Sequence, residues 1–122
     1  MPTGQAANAI AVPDGLEGWQ ISAARTAALW SYPDLAKASG VALSGIQRIE
    51  MLSPIIVRRA GRKIEGSADE ATIAALLRAF AKVGLELRPA KAATPAAVFA
   101  RDHEALMRRR REEVSGRAMA RR

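Results

Sequence analysis

The sequence predicts an all-α domain of four to five helices with a basic C-terminal helix or tail, and at most a short strand or hairpin. Three observations carry that expectation. Apolar residues make up 49% of the chain and aromatics only 4%, and alanine and leucine supply much of the apolar share, so helix formers outweigh strand formers. Apolar side chains recur at helical spacing, most clearly Ile73, Leu76, Leu77 and Phe80 at i, i+3, i+4 and i+7. Residues that start and stop helices stand where that spacing begins and ends, as with Ser31 and Gly40.

Residues 1–17 are small, polar and turn-prone, which predicts a flexible or loosely docked arm, with Ile10 and Val12 as candidate pins. The domain proper is expected over 18–88. Ile21, Ala24, Ala28 and the neighbouring Leu29 mark the inner face of a first helix ending near Trp30. Ser31 suits an N-cap, and Pro33-Asp34 suit the first turn of a second helix. Leu35 and Ala36 face inward, and Gly40 ends this helix. A third helix is expected over about 43–51, with Ile46 and Ile49 as its buried pair.

Pro54 breaks that helix, and Ile55-Ile56-Val57 and Ile64 flank Ala60-Gly61, compatible with a small hairpin or an extended loop. Ser67-Ala68-Asp69-Glu70 matches a capping box opening the next helix. Gly84 is expected as its left-handed stop, followed by a short strand at Leu85–Leu87. Residues 89–122 read as a linker and a basic tail, helical from Thr94-Pro95 to about Val114 with a thin apolar face. Trp19 and Trp30 are expected at the edge of the core.

The formal charge is +7, which favours a polyanionic partner or a solubilising tail. Most of the excess lies in residues 88–122, with ten basic groups against four acidic, including Arg108–Arg111. There is no cysteine, so disulfides and thiolate metal sites are excluded. His103 is the single histidine of a chain without cysteine, so no metal or cofactor is expected. No Gly-rich phosphate loop and no nucleophile with a plausible base is visible, and no enzyme is expected. The first residues lack the charge and apolar run of a secretory signal, and no segment approaches membrane-spanning length. The expected location is the cytoplasm, on the nucleoid when bound.

The segment 30–50 carries a spacing with a mechanical meaning. Two helices that cross steeply through a tight turn need a small residue where their backbones approach, and Ala36 supplies it. The turn needs a positive φ, which Gly40 adopts without a Cβ clash. Val41 plugs the corner, while Leu35 and the pair Ile46/Ile49 grip the core.

With Trp30-Ser31, Leu35-Ala36, Gly40-Val41 and Ile46-Gln47-Arg48-Ile49-Glu50, the chain resembles the phage-repressor-like, XRE-type helix-turn-helix family over about residues 20–87. Ile21–Arg25 looks like that family's first helix, and the helix ending at Gly84-Leu85-Glu86-Leu87 looks like its last. Family members often carry glutamine at the position of Tyr32 and an apolar residue at that of Ser39, and their connection equivalent to 51–66 is shorter.

The resemblance implies a sequence-specific DNA-binding transcriptional regulator with the helix at about 43–51 in the major groove. Leu43, Ser44, Gln47 and Arg48 fall on its base-contacting positions, and Arg48 suits a bidentate pair with guanine. Tyr32 falls on a phosphate-contacting position, and Arg58, Arg59, Arg62 and Lys63 lie in a loop near the DNA backbone. Two copies are expected on an inverted repeat, since one short helix specifies few base pairs. The alternative is an antitoxin or anti-activator, in which Leu43-Ser44-Gly45 faces protein and residues 94–122 wrap an acidic partner.

Overall fold

In a computed structural model, residues 10–61, 64–89, 98–100, 107–108 and 111–112 are described. In chain order the elements are α1 (Gly18–Ala27), α2 (Tyr32–Ser39), α3 (Leu43–Glu50), β1 (Ile56–Arg58), β2 (Ser67–Asp69), α4 (Glu70–Lys82), β3 (Leu85–Leu87) and β4 (Val98–Ala100). The fold is therefore mixed α/β, which corrects the all-α expectation. β1 and β2 pair in parallel, Ile56 opposite Ser67, and β3 and β4 pair antiparallel, Leu85 opposite Ala100.

α1 opens with a reciprocal cap. The Glu17 carboxylate takes the backbone N–H of Gln20, while Gln20 Oε1 accepts the Glu17 N–H at 2.8 Å. Gln20 is fully buried, and its Nε2 donates to the Arg88 carbonyl at 2.6 Å, tying α1 to the end of β3. α1 ends earlier than expected because Leu29 takes a left-handed φ of 60°, which an α-helix cannot continue through. Ser31 and Asp34 then cap α2 reciprocally at 3.2 and 2.9 Å. Gly40 ends α2 with φ 77° and donates its N–H to Ala36 at 2.8 Å. The Ser39 hydroxyl donates to the Leu35 carbonyl at 2.7 Å and accepts the Val41 N–H at 3.2 Å. Those two bonds explain how a polar residue is accommodated at this corner.

The buried core joins Ile21 and Ala24 of α1, Leu35 of α2, Ile46 and Ile49 of α3, and Ile73, Leu76, Leu77 and Phe80 of α4. Trp30 is buried with its ring centroid 5.9 Å from that of Phe80, whereas Trp19 is 48% exposed. Val12 and Leu16 are also buried, so the second half of the expected arm belongs to the core. The backbone between them is held by Arg59, and Leu16 accepts the Ile55 N–H at 2.8 Å.

The region 55–70 departs from the expected pattern. Ala60-Gly61 does not close a hairpin, because a hairpin pairs its strands antiparallel and these run parallel. The Ser67 to Glu70 box does not form either. Ser67 belongs to β2 and its hydroxyl donates to the Ile64 carbonyl, the N-cap of α4 is Asp69 without a side-chain cap bond, and Glu70 pairs with Arg59. Pairing with β1 and burial of Ala68 take these residues out of the local capping geometry. Gly84 does take the left-handed position after α4, with φ 87°. β4 falls inside the expected C-terminal helix, which makes that helix too long by at least its first turns. Met107, Arg108, Arg111 and Glu112 are helical, while His103, Arg109 and Arg110 lie outside the described residues.

Candidate nucleic-acid interface

α3 divides cleanly by burial. Ile46 and Ile49 face the core, at 0% and 1% exposure, while Leu43, Ser44, Gln47 and Arg48 are exposed. The division follows from the helical repeat, since residues three apart share a face and their neighbours point away. The left-handed corner at Gly40 sets the direction in which α3 leaves α2. Ala42, the N-cap of α3, has no side chain able to cap, so the first N–H groups of α3 carry no side-chain cap bond. Four of the sequence-predicted residues are thus brought together on one exposed face.

Tyr32 is used differently from the expectation. Its hydroxyl donates to Glu50 at 2.8 Å, and the same carboxylate accepts the Arg25 Nε–H at 2.9 Å. The Arg25 guanidinium carbon lies 4.0 Å from the centre of the Tyr32 ring, and its Nη1 donates to the Trp30 carbonyl at 3.2 Å. Arg25, Tyr32 and Glu50 come from α1, α2 and α3, so one ionic cluster ties the three helices. Both ionic partners were visible as residues, but neither carried a sequence signal of pairing across 25 positions.

The cluster has a consequence at high pH. Glu50 accepts the hydrogen bond of the Tyr32 phenol and holds its pKa above the usual value, burial adds to the rise, and Arg25 opposes it. A raised folded pKa stabilises the fold fully below the unfolded value of about 10, and the contribution is lost as pH climbs through the folded value. The thermal midpoint of the parent is therefore expected to fall more steeply than that of Tyr32→Phe above about pH 10. Parallel melting series in pH steps would check this, and identical slopes would remove Tyr32 from the alkaline transition.

The arginines of the 58–63 loop are also engaged. Arg58 pairs with Asp69 across the β1/β2 ladder, leaving its buried Nε without a hydrogen-bond partner. Arg59 donates to the Val12 carbonyl at 2.8 Å and to Asp14 at 3.0 Å, and pairs with Glu70. Asp14 is the main cause, with Glu70 adding, of a pKa for Arg59 above its ordinary range. Arg62 and Lys63, the other two expected loop contacts, lie outside the described residues.

Arg48 is exposed, yet it is held from one side: its Nη1 donates to the Ser67 carbonyl at 3.1 Å. A cleft of about 440 Å³ opens beside it, between α3 and the first turns of α4. Among the described residues, no group of three or more His, Asp or Glu gathers to hold a metal ion. No described helix is long and apolar enough to cross a membrane. Comparison of the chain with protein-family models, with curated proteins and with solved structures returned no match.

Proposed function

We propose that this chain is a sequence-specific double-stranded DNA-binding regulator of transcription, acting in the cytoplasm as a homodimer, with α3 entering the major groove. One observation carries the reading: α3 is anchored by Ile46 and Ile49 and presents Leu43, Ser44, Gln47 and Arg48 outward from a glycine corner. A helix of this kind fits a major groove about 12 Å wide. The net charge of +7 supplies the sequence-independent attraction to phosphate, and the likeness of residues 20–87 to XRE-type proteins points the same way.

Within the groove the exposed chemistry is limited. Gln47 can bond the N6/N7 edge of adenine, Ser44 accepts any base, and Leu43 can touch a thymine methyl. Affinity then leans on phosphate contacts, and specificity on a second copy bound to a symmetric half-site.

Selection of bound fragments from a random duplex pool tests the reading. A motif with inverted symmetry is expected. Gln47→Ala should relax the preference at one base pair per half-site, by about 1–3 kcal/mol, without changing the thermal midpoint. Failure to enrich any motif would refute sequence-specific binding.

A second reading draws on the exposed apolar side chains Met51, Ile56 and Ile64, at 84%, 48% and 55% exposure. It makes the chain a protein-interaction module, an antitoxin or anti-activator, and a chain that binds no duplex would favour it.

A further inference from the structure

The exposed arc of α3 is not symmetric. At about 100° per residue, Ser44 and Gln47 stand near its middle, Leu43 stands on one flank, and Arg48 stands on the other, beside Gly45. The Arg48 flank turns toward α4. Gly45, Arg48 and Ile49 form one wall of the 440 Å³ cleft, and Ala71, Thr72 and Ala75 form the other. The guanidinium is drawn to this side by the Ser67 carbonyl, which belongs to the strand that leads into α4. A guanidinium has five N–H donors, so that one bond leaves a fixed fork with donors for another acceptor.

Gly45 adds an independent observation. A Cβ at this position would meet only Val41 Cγ1 at 3.6 Å, an ordinary contact, and the backbone is helical. Neither packing nor backbone conformation requires glycine here, although glycine within a helix costs about 1 kcal/mol relative to alanine. The missing side chain leaves the flank next to Arg48 open to close approach.

Resting on the DNA-binding reading above, we infer that Arg48 is a phosphate anchor rather than a base reader. It holds one phosphodiester at the mouth of the α3/α4 cleft, and Gly45 lets that strand come close. A helix about 10–12 Å across fills the major groove, so side chains at mid-arc meet base edges and those on the flanks meet the phosphate walls. Bonded to Ser67, the Arg48 fork is placed for a phosphate oxygen, and turning onto a guanine edge would break that bond. Thr72 lines the opposite wall, and a threonine hydroxyl can donate to the same group. Base reading is left to Leu43, Ser44 and Gln47.

The test uses the full chain, the duplex selected from the random pool, and a shuffled duplex of the same length, titrated by fluorescence anisotropy across a salt series. Arg48→Ala is expected to weaken both duplexes by the same factor, about tenfold. It should also flatten the log–log salt slope by about 0.9, the signature of one lost phosphate contact. A repeated selection with Arg48→Ala should return the parent motif. Gly45→Ala should raise the thermal midpoint yet weaken both duplexes alike. Arg48→Gln keeps a donor for the Ser67 carbonyl and carries the same comparison should Arg48→Ala not fold. A variant that loses affinity only for the selected duplex, or relaxes one base pair on reselection, would overturn the anchor role. Gly45→Ala binding as the parent does would overturn the close approach. A parent chain that enriches no motif and shows no salt dependence sinks the DNA-binding reading itself, an outcome distinguishable because it needs no variant.

Discussion

Glu50→Ala is expected to lower the stability of the folded chain by about 3 kcal/mol, at the low end of the range for breaking a buried ion pair. The carboxylate and its partner Arg25 are 8% and 16% exposed, so neither is well solvated once the other is removed. The substitution leaves the Arg25 guanidinium with the Trp30 carbonyl as its remaining hydrogen-bond acceptor among the cluster's groups, and strips the Tyr32 hydroxyl of its acceptor. A single domain has only about 5–15 kcal/mol in hand, so a loss of this size should be conspicuous in a urea melt. The midpoint should drop with little change in slope. Arg25→Ala should cost a similar amount, and the double variant less than the sum, because the second substitution removes a partner already lost. Strict additivity would show that the two residues act separately and that the cluster does not bind α1 to α3.

Gly18→Ala is expected to cost about 3 kcal/mol, at the upper end for overpacking. The N-terminus of α1 runs against the C-terminus of α3, where the Gly18 N–H donates to the Leu52 carbonyl at 2.7 Å. A Cβ on residue 18 would stand 2.5 Å from the carbonyl oxygens of both Ile49 and Glu50. Those atoms are backbone at the end of a helix and cannot swing aside as a flexible side chain can. Relief would require α1 to lift from α3, which would also pull Arg25 from Glu50. Chemical denaturation of the variant checks the magnitude. A change below about 0.5 kcal/mol, the range of ordinary surface substitutions, would mean that α1 and α3 leave room for a Cβ at residue 18.

The candidate interface was partly legible in advance. Ile46 and Ile49 mark the inner face of α3 by their spacing, and the outward placement of Leu43, Ser44, Gln47 and Arg48 follows at once. What each outward residue meets does not follow. Arg48 reads in sequence as a guanine contact, and the Ser67 carbonyl, 19 residues away, takes one of its N–H groups. Tyr32 reads as a phosphate contact, and Glu50, 18 residues away, claims its hydroxyl. Arg59 reads as a clamp on the DNA backbone, and Asp14, 45 residues away, pairs with it. In each case a polar group with several possible acceptors is assigned by a neighbour that only the folded chain brings near.

The all-α expectation failed for the same reason. Ser67 to Glu70 satisfies the pattern of a capping box, but a capping box competes with strand pairing. Ser67–Asp69 is extended because Ile56–Arg58 lies alongside it, and a pattern four residues long contains no information about that partner. Likewise, the sequence around Val98–Ala100 reads locally as helix, and its partner β3 lies across a connection that no local signal describes.

The chain by itself determined the features whose causes lie within about one helical turn. These are the Ser31 cap with Asp34, the left-handed stops at Gly40 and Gly84, the inward pair of α3, and the four-residue inner face of α4. Backbone sterics, capping hydrogen bonds and helical periodicity act there without help from distant residues. Only the tertiary structure decided the parallel pairing of β1 with β2, the ionic cluster across three helices, the close approach at Gly18 and the direction of Arg48. Each of these needs two segments far apart in the chain to meet, and the choice among competing partners is made by packing of the whole core rather than by any one stretch of sequence.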